Sequence, residues 1–161
     1  MSRYHQILVP VDGSPTSENA LDEAIRLAQL SGARLQLIHV VDELGYVTGF
    51  EPPMNYINDI IPLMRAAGEK LLAHDRKKAL DQGVEADSVL IEGVPGRICD
   101  HVASQARRAK ADLIVLGSHG RRGIGRVLLG SDAEQIVRHA PVPVLVVRAP
   151  EALQSKETDS R

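Results

Sequence analysis

Residues 113–132 read LIVLGSHGRRGIGRVLLGSD. Leu113–Leu116 is a short apolar run of the kind that makes a buried strand. It enters a segment with glycine at positions 117, 120, 123, 125 and 130 and arginine at 121, 122 and 126. Ser131 then stands where a helix can open, with Ile136 and Val137 predicted to face inward on a short helix from Ser131 to His139. Glycine lets backbone amides approach an anion closely, and successive amides in a loop form an anion-binding concavity. A helix N-terminus adds unpaired N–H groups and a favourable dipole. Strand, glycine-rich loop and helix in this order have the physics of a phosphate cradle. A loop whose glycines only serve tight turns fits the same residues. The Gly-Lys-Ser/Thr tripeptide of the Walker loop and the G-x-G-x-x-G fingerprint are both absent.

Working outward, the rest of the chain repeats the strand–helix alternation. Gln6–Val11 (QILVPV) is a first strand that ends in Asp12-Gly13-Ser14, and Ser14-Pro15 reads as an N-cap and first helical residue. Leu21, Ala24, Ile25 and Ala28 recur at helical spacing before Gly32, a predicted C-cap. Leu35–Val41 is a second strand, Leu63 to Gln82 a helix closed by Gly83, and Ser88–Ile91 a third strand. Ile98, Val102 and Ala106 form a helical stripe, and Val142–Val147 is a last strand. Asp42 to Pro62 is the least regular part, with Gly45, Gly49, Pro52, Pro53 and Pro62, and loops of that length tend to be functional. Such alternation implies parallel pairing, and hence an α/β three-layer sandwich with an open, mostly parallel sheet of about five strands. Ligands in these sheets bind beyond the carboxyl ends of the strands, where the strand order reverses. Attention therefore falls on Asp12, on Val40–Asp42 and on Gly117 onward.

Composition narrows the class. The chain has 161 residues, enough for one domain with a full core, and is 43% hydrophobic and 25% charged. One domain over residues 1–150 and a polar tail over 151–161 are expected. With no Trp, one Phe and three Tyr, the core must come from Val, Leu, Ile and Ala. That scarcity argues against single-stranded nucleic-acid binding, which stacks bases on aromatic rings. A net charge of −2, from 19 basic and 21 acidic residues, provides no global field for nucleic acid or an anionic membrane. No signal segment and no stretch approaching a membrane span is found, so the expected location is the cytoplasm. Cys99 is a lone cysteine on the apolar side of its helix, read as a small core residue.

The spacing G-x2-G-x9-G-S, met by Gly117, Gly120, Gly130 and Ser131, resembles the nucleotide-binding signature of the universal stress protein family. ILVPVDGS at residues 7–14, LIHVVD at 37–42 and HAPVPVLVVR at 139–148 are similar to the same family, so the resemblance spans roughly residues 4–148. It implies an adenine nucleotide α-hydrolase-like sandwich that binds ATP, AMP or another adenine nucleotide, with Mg²⁺ as a companion ion. By that resemblance Asp12 would bind the ribose hydroxyls, and the backbone of Pro10 and Val11 would line the pocket. Val40 would set its backbone against the adenine edge. Gly117, Ser118, His119, Gly120, Arg121, Arg122 and Gly123, with Gly130, Ser131 and Asp132, would wrap the phosphates. A homodimer joined through the final strands is implied as well, together with a client protein that the sequence does not identify. Asp132 departs from the family, which commonly has a neutral residue there. A carboxylate in a first helical turn suits the dipole. Facing phosphates, it would call for Mg²⁺ or favour AMP or a cyclic nucleotide.

Other polar residues carry less. Asp12 followed by glycine is also a turn dipeptide. His39 reads as a packed or hydrogen-bonded histidine and His119 as a contact residue in the loop, neither as a general base. No carboxylate pair or Ser/His/Asp set converges on the loop, and no histidine spacing suggests a metal site. The sequence thus points to a regulatory nucleotide-binding protein of the stress response. A slow ATPase or nucleotidyl transferase and a dimer with a degenerate pocket are its rivals.

Overall fold

The computed structural model describes residues 3–42, 56–119 and 129–148. The strands are β1 (Gln6–Pro10), β2 (Arg34–Val40), β3 (Ala86–Ile91), β4 (Leu113–Gly117) and β5 (Val144–Val147). The α-helices among the described residues are α1 (Pro15–Ser31), α2 (Ile61–Asp81), α3 (Ile98–Arg108) and α4 (Ser131–His139). The strands form one five-stranded sheet in the order β3-β2-β1-β4-β5, and every pairing is parallel. The chain winds outward from β1 through β2 to β3, then crosses to β4 and continues to β5. Right-handed crossovers in opposite directions must place their helices on opposite faces. Ile7, Val9, Leu35, Leu37, Leu113 and Val115 accordingly pack with Leu21 and Ile25 of α1 and Leu72 and Ala79 of α2. The alternate residues Leu8, Ile38, Ile114 and Leu116 pack with Cys99, Val102 and Ala106 of α3 and Ala133 and Ile136 of α4. The expected three-layer α/β sandwich is the observed one.

Local chemistry explains the element ends. The Ser14 side chain accepts a hydrogen bond from Ser17 N–H and Pro15 opens α1, so a cap and a preset φ fix the start of the helix. Gly32 closes it at φ 73°, a left-handed conformation that costs glycine little. Cys99 is buried, as its helical position predicts. Several boundaries differ from the sequence reading. Helix α2 begins at Ile61, preceded by a π-helical turn over Tyr56–Ile60, so Pro62 lies inside the first helical turn. Proline is tolerated there because its missing N–H has no intrahelical partner to lose. Strand β3 begins two residues before Ser88, at Ala86, and β5 begins at Val144. Pro143 has no N–H for the ladder but offers its carbonyl to Ile114 N–H at 3.0 Å. Val137 is 43% exposed rather than inward, because α4 meets the sheet through the narrow stripe Ala133–Ile136. The reading of residues 43–55 as irregular and of 151–161 as a polar tail falls outside the described residues.

Two polar side chains enter the layers. Gln36 of β2 is buried and satisfied, donating to Asp87 at 3.3 Å and accepting from Gln105 of α3 at 2.7 Å. Asp75 of α2 is also buried, with His74, Lys78 and, from α1, Glu18 around it. Burial raises its pKa above the ordinary carboxylate value, against the opposing pull of the His74 hydrogen bond. A carboxyl whose pKa is higher folded than unfolded stabilises the fold most when protonated. That contribution is lost as pH rises through the folded pKa. Asp75→Asn should therefore be more stable than the native chain at pH 7, by about 1 kcal/mol, the common size of a single-site effect. The advantage should shrink as pH falls toward the ordinary carboxylate range. Urea unfolding at a series of pH values measures it, and an advantage that grows on acidification would contradict it.

Candidate functional site

The sheet reverses direction between β1 and β4, so their carboxyl ends diverge into a crevice, the place where open α/β sheets hold ligands. On the β1 side the chain leaves the sheet at Asp12. The Asp12 carboxylate accepts Ser14 N–H at 2.8 Å, and Asp12 N–H donates to Ser17 Oγ at 3.1 Å. Ser17 N–H in turn donates to Ser14 Oγ at 3.2 Å. This interlocked turn holds a half-buried carboxylate just before α1, at the carboxyl end of β1.

On the β4 side, Gly117 lies against the same turn. A Cβ at Gly117 would come within 2.7 Å of the Thr16 carbonyl carbon and 2.9 Å of Ser17 N, so no side chain fits there. The chain then passes Ser118, whose N–H donates to Val147 O at 2.8 Å and whose carbonyl accepts Gly130 N–H at 2.7 Å. That second bond joins the two ends of the glycine-rich loop into a neck. The neck is tied to α1 as well, since Thr16 Oγ1 donates to the His119 carbonyl and Ser14 Oγ reaches the same oxygen at 3.5 Å. Ser118 is buried and its Oγ bonds His119 Nδ1 at 2.8 Å, so it shapes the neck from within. Helix α4 starts directly after the neck, with Gly130 as its N-cap residue and Ser131 and Asp132 exposed in its first turn. N–H groups in the first turn of a helix can donate to an anion, and Asp132 sits where a carboxylate suits the dipole.

Pro10, Val11 and Asp12 thus follow one another at the end of β1, and Gly117, Ser118, His119, Gly130, Ser131 and Asp132 run from the end of β4 to the start of α4, with Ser118 buried. Val40 ends β2, beside β1. Gly120, Arg121, Arg122 and Gly123 lie outside the described residues. His39 is hydrogen-bonded, as its reading predicts, with Nδ1 2.7 Å from the Val11 carbonyl. Sequence reasoning missed Thr16 and Ser17, which hold the two walls together. The run Ser14-Pro-Thr-Ser17 at a helix start was the available signal, but only the fold shows which carbonyl the hydroxyls meet.

The donor set suits a nucleotide. A carboxylate accepts hydrogen bonds from a pair of vicinal hydroxyls, and backbone N–H groups at a helix start donate to a phosphate. Among the described residues no group of three or more His, Cys, Asp or Glu side chains is placed to hold a metal ion. A surface recess lined by His74, Lys77, Lys78, Asp81 and Gln82 lies at the far end of α2. Its lysines are engaged, Lys77 with Asp81 at 2.5 Å and Lys78 with Asp22 at 2.6 Å, so it has no part in the crevice.

Comparison with known proteins agrees with this architecture. Residues 3–148 match the model of the universal stress protein family. Universal stress protein MJ0531 of Methanocaldococcus jannaschii is 37% identical over 147 residues, covering 91% of this chain and 84% of that protein. The structure of universal stress protein UspA from Lactobacillus plantarum superposes with a TM-score of 0.77 at 28% identity, covering 92% of this chain and 100% of that one. A universal stress protein crystallised in complex with cAMP gives a TM-score of 0.62 at 27% identity, covering 91% of this chain and 98% of that one. With the family match spanning nearly the whole described fold, the chain belongs to the universal stress protein family.

Proposed function

We propose that this protein binds an adenine nucleotide in the crevice between β1 and β4 and acts as a regulatory module rather than a fast enzyme. The observation that carries this reading is the pairing of two walls across one opening. Asp12 stands on the β1 side and the neck of the glycine-rich loop leads into the α4 N-terminus on the other. In this reading Asp12 receives the ribose hydroxyls and the backbone at Pro10 and Val11 lines the pocket. The Val40 backbone meets the base. The loop from Gly117 to Gly123, with Gly130, Ser131 and Asp132, wraps the phosphates. The related structure that holds cAMP supports an adenine nucleotide as the ligand class. The hydroxyl–imidazole pair of the described crevice, Ser118 Oγ and His119 Nδ1 at 2.8 Å, has its hydroxyl buried in the neck, which favours binding and release over turnover. ATP with Mg²⁺ and AMP are the two ligands to compare, since Asp132 would repel a bare triphosphate and tolerate one neutralised by the ion.

The reading extends to assembly. Strand β5 is an edge of the sheet, built of Val144, Leu145, Val146 and Val147, with Leu145 36% exposed. Such an edge offers unpaired backbone groups to another strand. A second copy meeting it across a two-fold axis would be self-complementary. We assign the homodimer to this edge, where nucleotide-dependent ordering next to Ser118–Val147 would reach the partner.

Binding and assembly are tested separately. Protein purified gently and released into denaturant should yield an adenine nucleotide by mass spectrometry. Asp12→Ala should then weaken AMP binding in calorimetry by about 1.5–3 kcal/mol, the scale of hydrogen bonds to a charged group; unchanged affinity in a folded variant would remove Asp12 from the site. For assembly, sedimentation should show a dimer at micromolar concentration. Val146→Lys, which places like charges near the axis, should shift it to monomer, and a dimer that survives the change would move the interface elsewhere.

A further inference from the structure

The ladder between β1 and β2 stops one rung early, and a side chain bonds the carbonyl that the next rung would use. The register pairs Gln6 with Arg34 through Pro10 with Ile38, and one more bond follows, Val11 N–H to Ile38 O at 2.8 Å. Successive residues of a strand present their N–H and C=O pairs to opposite edges. Ile38 therefore faces β1. Val41, whose N–H bonds Ile91 O at 2.9 Å, faces β3. Val40 faces β1 again, and the next regular rung would run from Val40 N–H to the Val11 carbonyl. That carbonyl accepts from His39 Nδ1 at 2.7 Å, and among the described residues no rung beyond Val11–Ile38 joins the two strands.

The ring has a dedicated seat. Gly68 of α2 lies over it, and a Cβ at that position would come within 2.7 Å of His39 Cδ2 and 2.8 Å of Leu90 Cδ1. A glycine inside a helix costs stability of roughly 0.5–1 kcal/mol relative to alanine, so the space it leaves for the imidazole is a structural demand. Because a carbonyl only accepts, Nδ1 carries the hydrogen, and Val11 O is engaged whatever the state of Nε2.

We propose that His39 is a positioning residue of the nucleotide site: by taking the Val11 carbonyl it keeps the Val40 peptide edge unpaired and open to the base. The inference rests on the nucleotide reading above and adds the device that makes base recognition available. An adenine ring offers an acceptor nitrogen beside an exocyclic amino group. The N–H and C=O that Val40 presents on one edge match that pair. The same bond fixes the Val11–Asp12 peptide and so links the base end of the crevice to the carboxylate that would receive the ribose.

Amide hydrogen exchange followed by NMR, with AMP as the probe, tests this. In the unliganded native protein Val40 N–H should exchange much faster than Ile38 N–H, and AMP should slow it. In His39→Leu the Val11 carbonyl is released to the ladder. Val40 N–H should then be protected without ligand, and AMP affinity should fall about five- to tenfold, the scale of one hydrogen bond. His39→Asn keeps a donor where Nδ1 was and should restore both the fast exchange and the affinity. A Val40 amide as protected as Ile38 in the unliganded native protein would overturn the proposal, even if His39→Leu failed to fold. Native AMP affinity in a folded His39→Leu variant would overturn it too. If the native protein binds no AMP, the nucleotide reading falls, and the exchange of Val40 in native and His39→Leu proteins still decides whether His39 holds the rung open.

Discussion

The close approach of Gly117 to the first turn of α1 is the contact on which the site depends. At 2.7 Å between a hypothetical Cβ and the Thr16 carbonyl carbon, backbone meets backbone with no side chain between. Strand β4 adjoins β1 in the sheet, but a neighbouring strand alone would leave its exit loop free to swing. Pressing the end of β4 onto the helix that leaves β1 turns two divergent chain exits into the walls of one crevice. Thr16 Oγ1 and Ser14 Oγ then reach the His119 carbonyl, and Gly130 N–H closes onto Ser118 O. Each of these bonds uses a group that a helix start or a loop would otherwise present to water.

The arrangement also sorts the polar groups by task. Ser14, Thr16, Ser17 and Ser118 are buried hydroxyls with partners inside the protein, so they stiffen the crevice without facing it. Asp12, the α4 N-terminus and the Val40 edge are the groups that the proposed binding mode uses. A site held by short-range bonds among buried hydroxyls is preorganised for a ligand, because little ordering is left for the binding step. The two ends of the glycine-rich segment are anchored by the fold at Ser118 and Gly130.

Much of the fold was legible because it follows from local rules. Ser14-Pro15 and Gly32 delimit α1 through capping and φ alone, and the apolar runs at Leu35 and Leu113 announce buried parallel strands. The bounds of α4 were read correctly, yet Val137 was misplaced, since a nine-residue helix touches the sheet along a stripe too narrow to include it. The start of α2 was missed because Pro62 reads as a breaker, although in a first turn it breaks nothing. Asp12, Val11 and Gly117 could be named from their places at strand ends. Thr16, Ser17 and Gly68 could not, because their roles are contacts with residues far along the chain. His39 was seen as a satisfied histidine, which is true of its bond and silent about which rung that bond replaces.

A parallel sheet resists being left open at a binding site, since every unpaired N–H at the end of a ladder is drawn to the nearest carbonyl. A missing rung costs on the order of 1 kcal/mol when the alternative is water. A histidine on β2 that supplies the Val11 carbonyl with another donor removes the competitor without leaving a buried acceptor unsatisfied. The imidazole needs room above the strand, and only a residue without a side chain can give it that room beneath a helix, hence Gly68. The opening at Val40 is then no defect in the sheet. It follows from a bond made one layer above it, and the helix that covers the ring takes part in setting the edge that a base would meet.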